Sequence, residues 1–213
     1  MAVTHASPGK VLYHIDFTEQ PNGPAINWLK KNGFEPSLEA SKLHPYFQNG
    51  RLVFQTKGEV AGLFSKRLNL PHANRIRIYW GVERYPQGAD WENGIIAVPI
   101  AIMISFGVTK IDSGAFYIPD EPFFIGIFLG EKEKEDKTYT GRYYKKGGRY
   151  FCQPCGVLPG ETVLTDFDLA GTFQREFPEI AMPPVSSFDF QMNTKHTTGG
   201  ASAFLEKVEF LSE

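Results

Sequence analysis

The chain has 213 residues, 24 acidic against 22 basic side chains and a formal net charge of -2, with 42% hydrophobic and 22% charged residues. That near-neutral balance lacks the basic footprint that nucleic acid or an anionic membrane surface demands, so neither is an expected partner. With 18 Phe and 9 Tyr against 4 Met, the composition favours strands over helices, and the length suits one β-sandwich or barrel.

The N-terminus, MAVTHASPGKVLYHIDF, has no uninterrupted apolar segment of the secretory type. The expectation is a soluble chain, either cytoplasmic or the mature form of an exported protein. Val11 to Phe17 alternates apolar and polar positions and runs into QPNGP, which reads as a strand and its stop. Trp28 to Phe34 fits a single helical turn or an irregular connection. Asn49-Gly50 then predicts a turn into a strand at Arg51 to Thr56. Short strands follow at Ala61 to Leu70 and at Ile76 to Val82. The loop Glu83 to Gly94, ERYPQGADWENG, cannot continue a ladder and is long enough to carry function.

Ile95 to Phe106, IIAVPIAIMISF, is uncharged and rich in β-branched residues, the pattern of a buried central strand. Interrupted by Pro99, it is too short for a membrane span, which takes roughly twenty apolar residues. Pro122 to Leu129 gives a second apolar strand, with Gly126 marking a bulge or a close backbone approach. The mixed charges of Glu131 to Arg149 read as a solvated loop or hairpin arm. Strands resume at Glu161 to Leu164, Phe188 to Asn193 and Phe204 to Phe210, and Asp168 to Phe177 is the one short helix. These elements specify an all-β fold: a single-domain antiparallel β-sandwich over residues 1–213, jelly-roll-like, with its first and last strands side by side.

Two stretches, residues 75–106 and 157–211, carry a family resemblance. RIRIYWGVERYPQGAD followed by an apolar strand ending in SFG, and DLAGTFQREF followed by PPVSSFDFQMNTKHTTGGASAFLEKVEF, resemble the domain of unknown function 3047 family. The resemblance implies a sandwich related to jelly-roll carbohydrate-binding modules and supplies no reaction. Where that family carries carboxylates after the penultimate strand, this chain has Asn193, Lys195 and His196.

Cys152-Gln153-Pro154-Cys155 is the most conspicuous chemical motif. Its turn-rich surroundings lack the strand-to-helix context of a thiol oxidoreductase, and none of the five histidines forms a paired zinc motif with it. A structural role is expected, as reduced thiols or a local disulfide. Asp166 and Asp168 would share a sheet face if both lay on a strand, but the preferred reading puts Asp166 in a turn and makes Asp168 a helix cap. No cofactor is expected, apart from a minority reading in which the paired terminal strands bring Asp16 and Glu206 together around a structural calcium.

Aromatic side chains offer the remaining lead, because sugar rings stack flat C–H faces on Trp and Tyr while polar neighbours bond the hydroxyls. Tyr85, Asp90, Trp91 and Glu92 share the long loop and form the expected ligand site. Tyr143, Tyr144 and Tyr150, with Arg142 and Arg149, repeat the mixture on the charged arm, whereas Trp28, Tyr79 and Trp80 read as core. A non-catalytic carbohydrate-binding module leads. A glycan-active hydrolase or lyase on the same scaffold is the alternative, and a structural or assembly protein is the third class. The enzyme trails because a glycosidase sets two carboxylates about 5–10 Å apart and no E-x-D-x-E run appears in the strands.

Overall fold

A computed structural model describes residues 9–213. The chain opens with strands β1 (Val11–Asp16) and β2 (Gly23–Pro24), helix α1 (Ile26–Lys31) and strand β3 (Phe34–Leu38). Strands β4 (Tyr46–Gln48), β5 (Arg51–Gln55), β6 (Ala61–Leu70), β7 (Arg75–Arg84), β8 (Val98–Ile111) and β9 (Glu121–Gly130) follow. Then come β10 (Gly148–Cys155), β11 (Val163–Asp168), α2 (Leu169–Glu176), β12 (Val185–Asn193) and β13 (Ser202–Leu211).

The strands form a sandwich. One sheet of seven runs β11-β7-β13-β5-β4-β2 with β1 beside β13, and the other of six runs β10-β9-β8-β12-β6-β3. All pairings are antiparallel except β9 with β10. The expected pairing of the chain's ends is present, with Ile15 opposite Val208 and Asp16 opposite Lys207. The β4–β5 turn is the expected Asn49-Gly50, and both residues hold positive φ (53° and 75°), as a two-residue hairpin turn with the sheet's twist requires.

Between the sheets lies an aromatic core. Phe34 stacks on Phe190 at 5.0 Å, Phe188 meets Phe210 at 5.5 Å, and Phe54 stacks on Phe64 at 5.8 Å. Trp80 is fully buried and its indole N–H donates to Thr165 Oγ1 at 2.8 Å, which removes the cost of an unpaired polar atom in the interior. Trp28 packs against the same core, while Tyr79 is half-buried with the Lys207 ammonium over its ring.

The apolar centre of the sequence is β8, the third strand of the six-stranded sheet. Ile100, Ile102 and Ile104 face the other sheet, while Ala101, Met103 and Ser105 face outward. Three local expectations are corrected. Residues 131–147 form a loop and crossover, not a hairpin, because β10 runs parallel to β9 and cannot follow it through a tight turn. Cys152 lies on β10 and not in a turn-rich stretch, since Phe151 and Cys152 are buried there and register with β9. Asp166 lies on β11, held by Arg75 and Arg77 at 2.7 and 3.1 Å, while Asp168 caps α2 as expected by accepting from the Gly171 N–H at 2.9 Å. With α1 and α2 the only α-helices among the described residues, circular dichroism should be β-dominated; a helix content above about a third would contradict this architecture.

Candidate functional site

The outer face of the six-stranded sheet is divided in two. Over β9 and β10 it is roofed by the loops 85–97 and 131–147, which bury a second, smaller cluster around Trp91, Phe124, Phe128 and Tyr139. Over β3, β6, β12 and β8 it is open, and a groove of about 580 Å³ runs across it. Its floor follows from the registers: Glu35, Ser65, Asp189, Met103, Gly126 and Tyr150 stand opposite one another in turn from β3 to β10. Residues opposite each other share a face, so this row is one polar-to-aromatic strip across the sheet.

The sequence SSFDFQMN builds the centre of the floor. Its alternation sends Phe188, Phe190 and Met192 into the core and leaves Ser187, Asp189 and Gln191 on the groove side. Gly126 is required here, because a Cβ at that position would stand 2.6 Å from the Tyr150 ring and 2.8 Å from the Met103 sulfur. Its absence lets the Tyr150 ring lie across the sheet as the wall of the groove.

Asp189 is the unusual group. Its Oδ1 is sealed from solvent and has no hydrogen-bond partner among the described residues. Burial pushes its carboxyl up to about 6; a hydroxyl contact from Ser65 acts against that rise, and the negative charge of Glu121 adds to it. Tyr144 lines the same groove, its phenol raised by burial and by Glu121 and Asp120.

The loop expected to carry the site is the roof beside this groove. Trp91 is buried, its ring stacked on Phe128 at 4.7 Å and flanked by Tyr139 at 5.7 Å and Tyr150 at 5.0 Å. Its indole N–H donates to the Ala97 carbonyl and its backbone N–H to the buried Glu133. The open stacking face expected of Trp91 is therefore occupied by the protein itself, because a large ring next to an apolar sheet face gains more by covering it. Asp90 caps the short 3-10 turn Trp91–Asn93, accepting from Asn93, which holds its carboxyl below the usual range. Glu92 accepts from Lys137 and Tyr139, which lower its carboxyl likewise. Tyr85 donates to the Val157 carbonyl at 2.9 Å, and burial pushes its phenol up to about 12. These contacts clamp the loop to the charged arm, whose Glu133 and Tyr139 are buried instead of solvated.

The loop still touches the groove at one point. A cavity of about 50 Å³ is lined by Trp91 together with Tyr150 and Gln191, both of which also line the groove. Tyr85, Asp166 and His196 line neither space.

Two further hollows contain carboxylates that are already paired. In one, of about 340 Å³, Glu83 meets Arg51; in the other, of about 400 Å³, Asp166 meets Arg75. Asp16 and Glu206, considered for calcium, are also engaged separately, Asp16 by Thr18 and Glu206 by Arg51 and Thr162. Among the described residues no group of three or more His, Cys, Asp or Glu side chains could hold a metal ion. No described helix is long and apolar enough to cross a membrane.

Cys152 and Cys155 form a disulfide over a separation of three residues. So short a closed loop constrains the unfolded chain little, and the Cys152→Ser, Cys155→Ser double variant should lose about 2 kcal/mol in a melt. Metal analysis of the purified wild type checks the same expectation: stoichiometric zinc that disappears in the double variant would overturn the structural role.

No family model and no curated protein matches the chain. Among solved structures it is similar to the K1 cleaved adhesin domain of Lys-gingipain from Porphyromonas gingivalis W83, at 14% identity and a TM-score of 0.37. That match covers 94% of this chain and 98% of the other. The K2 cleaved adhesin domain of Lys-gingipain gives 11% identity and a TM-score of 0.41, covering 93% and 98%. The glycoside hydrolase domain Spr0440, Endo-D from Streptococcus pneumoniae R6, gives 8% identity and a TM-score of 0.30, covering 85% of this chain and 20% of that one.

Proposed function

We propose that the chain is a ligand-binding β-sandwich whose site is the groove over β3, β6, β12 and β8, and that its ligand is a carbohydrate. The observation that carries this reading is the groove, whose floor sets Ser65, Ser187, Asp189 and Gln191 beside the Tyr150 ring. The groove's volume of about 580 Å³ falls in the range of small-molecule sites. Its lining suits a sugar: Ser65, Ser105, Ser187 and Gln191 exchange hydrogen bonds with hydroxyls, and Tyr144 and Tyr150 offer apolar faces to ring C–H groups.

The experiment is a glycan array on the wild type, followed by calorimetric titration of the best oligosaccharide into Asp189→Asn and Gln191→Ala. Each variant should bind at least several-fold more weakly with its cooperative melt intact. Undiminished binding by both removes the groove from the function.

A glycan-active enzyme is the second reading, favoured by a specific observation. Asp189 has its carboxyl raised to about 6, suited to a general acid, and Glu121 and Glu35 line the same groove. A turnover screen separates the two readings. Hydrolysis of a bound oligosaccharide that Asp189→Asn abolishes would establish the enzyme.

A further inference from the structure

We infer that the β8–β9 turn docks the protein on a membrane surface rich in anionic phospholipid, its aromatic tip entering the bilayer and the basic side chains beside it meeting the headgroups. Ile111 pairs with Glu121, so residues 112–120 form the turn, and Phe116 stands in its middle. Among the described residues, which include all 18 Phe of the chain, Phe116 alone is exposed, and it is fully so. Tyr117, also exposed, meets it edge-on at 5.2 Å. The charged arm brings Tyr143 alongside, its ring 6.0 Å from that of Tyr117 and the two phenol oxygens 2.9 Å apart.

A single exposed apolar side chain is ordinary on a protein surface, but this one is held outward by a built turn. Ser113 is buried, and its hydroxyl lies 3.0 and 2.8 Å from the carbonyls of Ala115 and Ile118. Its N–H donates to Asp120 at 2.9 Å, and its carbonyl accepts from the Tyr144 N–H at 2.9 Å. The Tyr144 phenol donates to the Pro119 carbonyl, also at 2.9 Å. The turn and the arm are thus one platform, with Phe116 standing out from it.

The charge beside the tip is positive. Residues 137–160 hold five basic side chains, Lys137, Arg142, Lys145, Lys146 and Arg149, and no acid. The chain's net charge of -2, which argues against an anionic surface as a partner, averages over this segment. Arg142, Lys145 and Lys146 line a hollow of about 280 Å³ between the turn and the arm, together with Asp112, Ser113 and Gly114. Asp112 is engaged by Lys146 at 2.8 Å, and Asp120 accepts from the Ser113 N–H. Arg142 and Lys145 form no ion pair among the described residues. Glu121, at the start of β9, lines the groove.

That order, an apolar ring outermost, then amphipathic phenols, then cations, matches the layers of a bilayer surface from acyl chain to phosphate. Each basic side chain near an anionic leaflet adds about five-fold in affinity. A sulfated polysaccharide would engage the cations and leave Phe116 in water, so the exposed ring favours the bilayer.

The test is co-sedimentation of the full chain at low ionic strength with two kinds of vesicle, pure phosphatidylcholine and phosphatidylcholine carrying about 30 mol% phosphatidylserine. The anionic vesicles should bind at least ten-fold more tightly, and added salt should weaken them. The Phe116→Ser, Tyr117→Ser double variant should lose about ten-fold, and so should Arg142→Gln, Lys145→Gln. Both should keep the wild-type melt, because all four side chains are exposed. Phe116→Trp should gain emission that acyl-brominated lipid quenches beyond any change in the wild type, whose Trp80 and Trp91 are buried.

Equal binding to the two vesicles, or binding to neither, overturns the inference. Full binding by Phe116→Ser, Tyr117→Ser, or a Phe116→Trp emission that bound vesicles leave unquenched, overturns the insertion. A heparin fragment bound as tightly as the anionic vesicles, through Arg142 and Lys145 and without Phe116, overturns the membrane in favour of a soluble polyanion. Self-association without lipid that Phe116→Ser, Tyr117→Ser abolishes, seen by light scattering, overturns it in favour of a second copy of this chain.

Discussion

Trp91→Ala should lower the melting temperature by about 10 °C, the largest single-site loss expected outside the core between the sheets. The ring is buried, stacked on Phe128 and flanked by Tyr139 and Tyr150, so its removal leaves a void among three aromatic side chains. Truncating a buried Trp costs about 3–5 kcal/mol, and each kcal/mol moves the melt of a chain this size by about 2–4 °C. The loss should spread to Glu133, which accepts from the Trp91 backbone N–H, and thence to the charged loop above β9. Binding in the groove should weaken only as far as Tyr150 loses its support. Thermal melts and titrations of the same preparation check this. An unchanged melt with abolished sugar binding would make Trp91 a ligand contact and return the site to the loop.

The contrast between these two places explains what the sequence disclosed. Strand β13 is legible because its apolar and β-branched residues recur through Val208-Glu209-Phe210, and β8 because an uncharged β-branched run has no other place to go. The Asp168 cap is legible because its signal is local. Strand β10 was hidden, since its partner β9 runs parallel and the pairing depends on a crossover with no periodicity of its own.

Trp91 misleads for a related reason. Its neighbours in sequence are polar, while its neighbours in space, Phe128 and Tyr150, come from two distant strands. Asp189 was available in principle, because a carboxylate between Phe188 and Phe190 on a strand must face away from the core. That it meets a groove and not open solvent depends on how β3, the loop at 131–147 and β12 come together, which no local pattern encodes.

Asp189→Asn should trade binding for stability, and the trade should depend on pH. Burial raises the Asp189 carboxyl from 3.8 to about 6 in the folded chain. Below about pH 4 both folded and unfolded forms hold the proton, so the group costs nothing. Between about pH 4 and 6 the unfolded chain releases it while the folded chain retains it, and stability falls as the pH rises. Above about pH 6 the full cost is present, on the order of 3 kcal/mol for a rise from 3.8 to about 6. Asparagine has nearly the same shape and no charge to desolvate, so the stability gap between variant and wild type should widen in the variant's favour by that amount from pH 4 to pH 7. Asp90, Glu92 and Asp112, whose carboxyls are lowered by their hydrogen-bond donors, give the opposite slope in both proteins and cancel from the difference. Melts of the two proteins at half-unit pH steps measure the gap; one that stays constant would mean that Asp189 is solvated and free to ionise. A widening gap, joined to weaker ligand binding at pH 7, is the pattern of a functional carboxylate held at a cost to the fold, which a ligand's donor would offset.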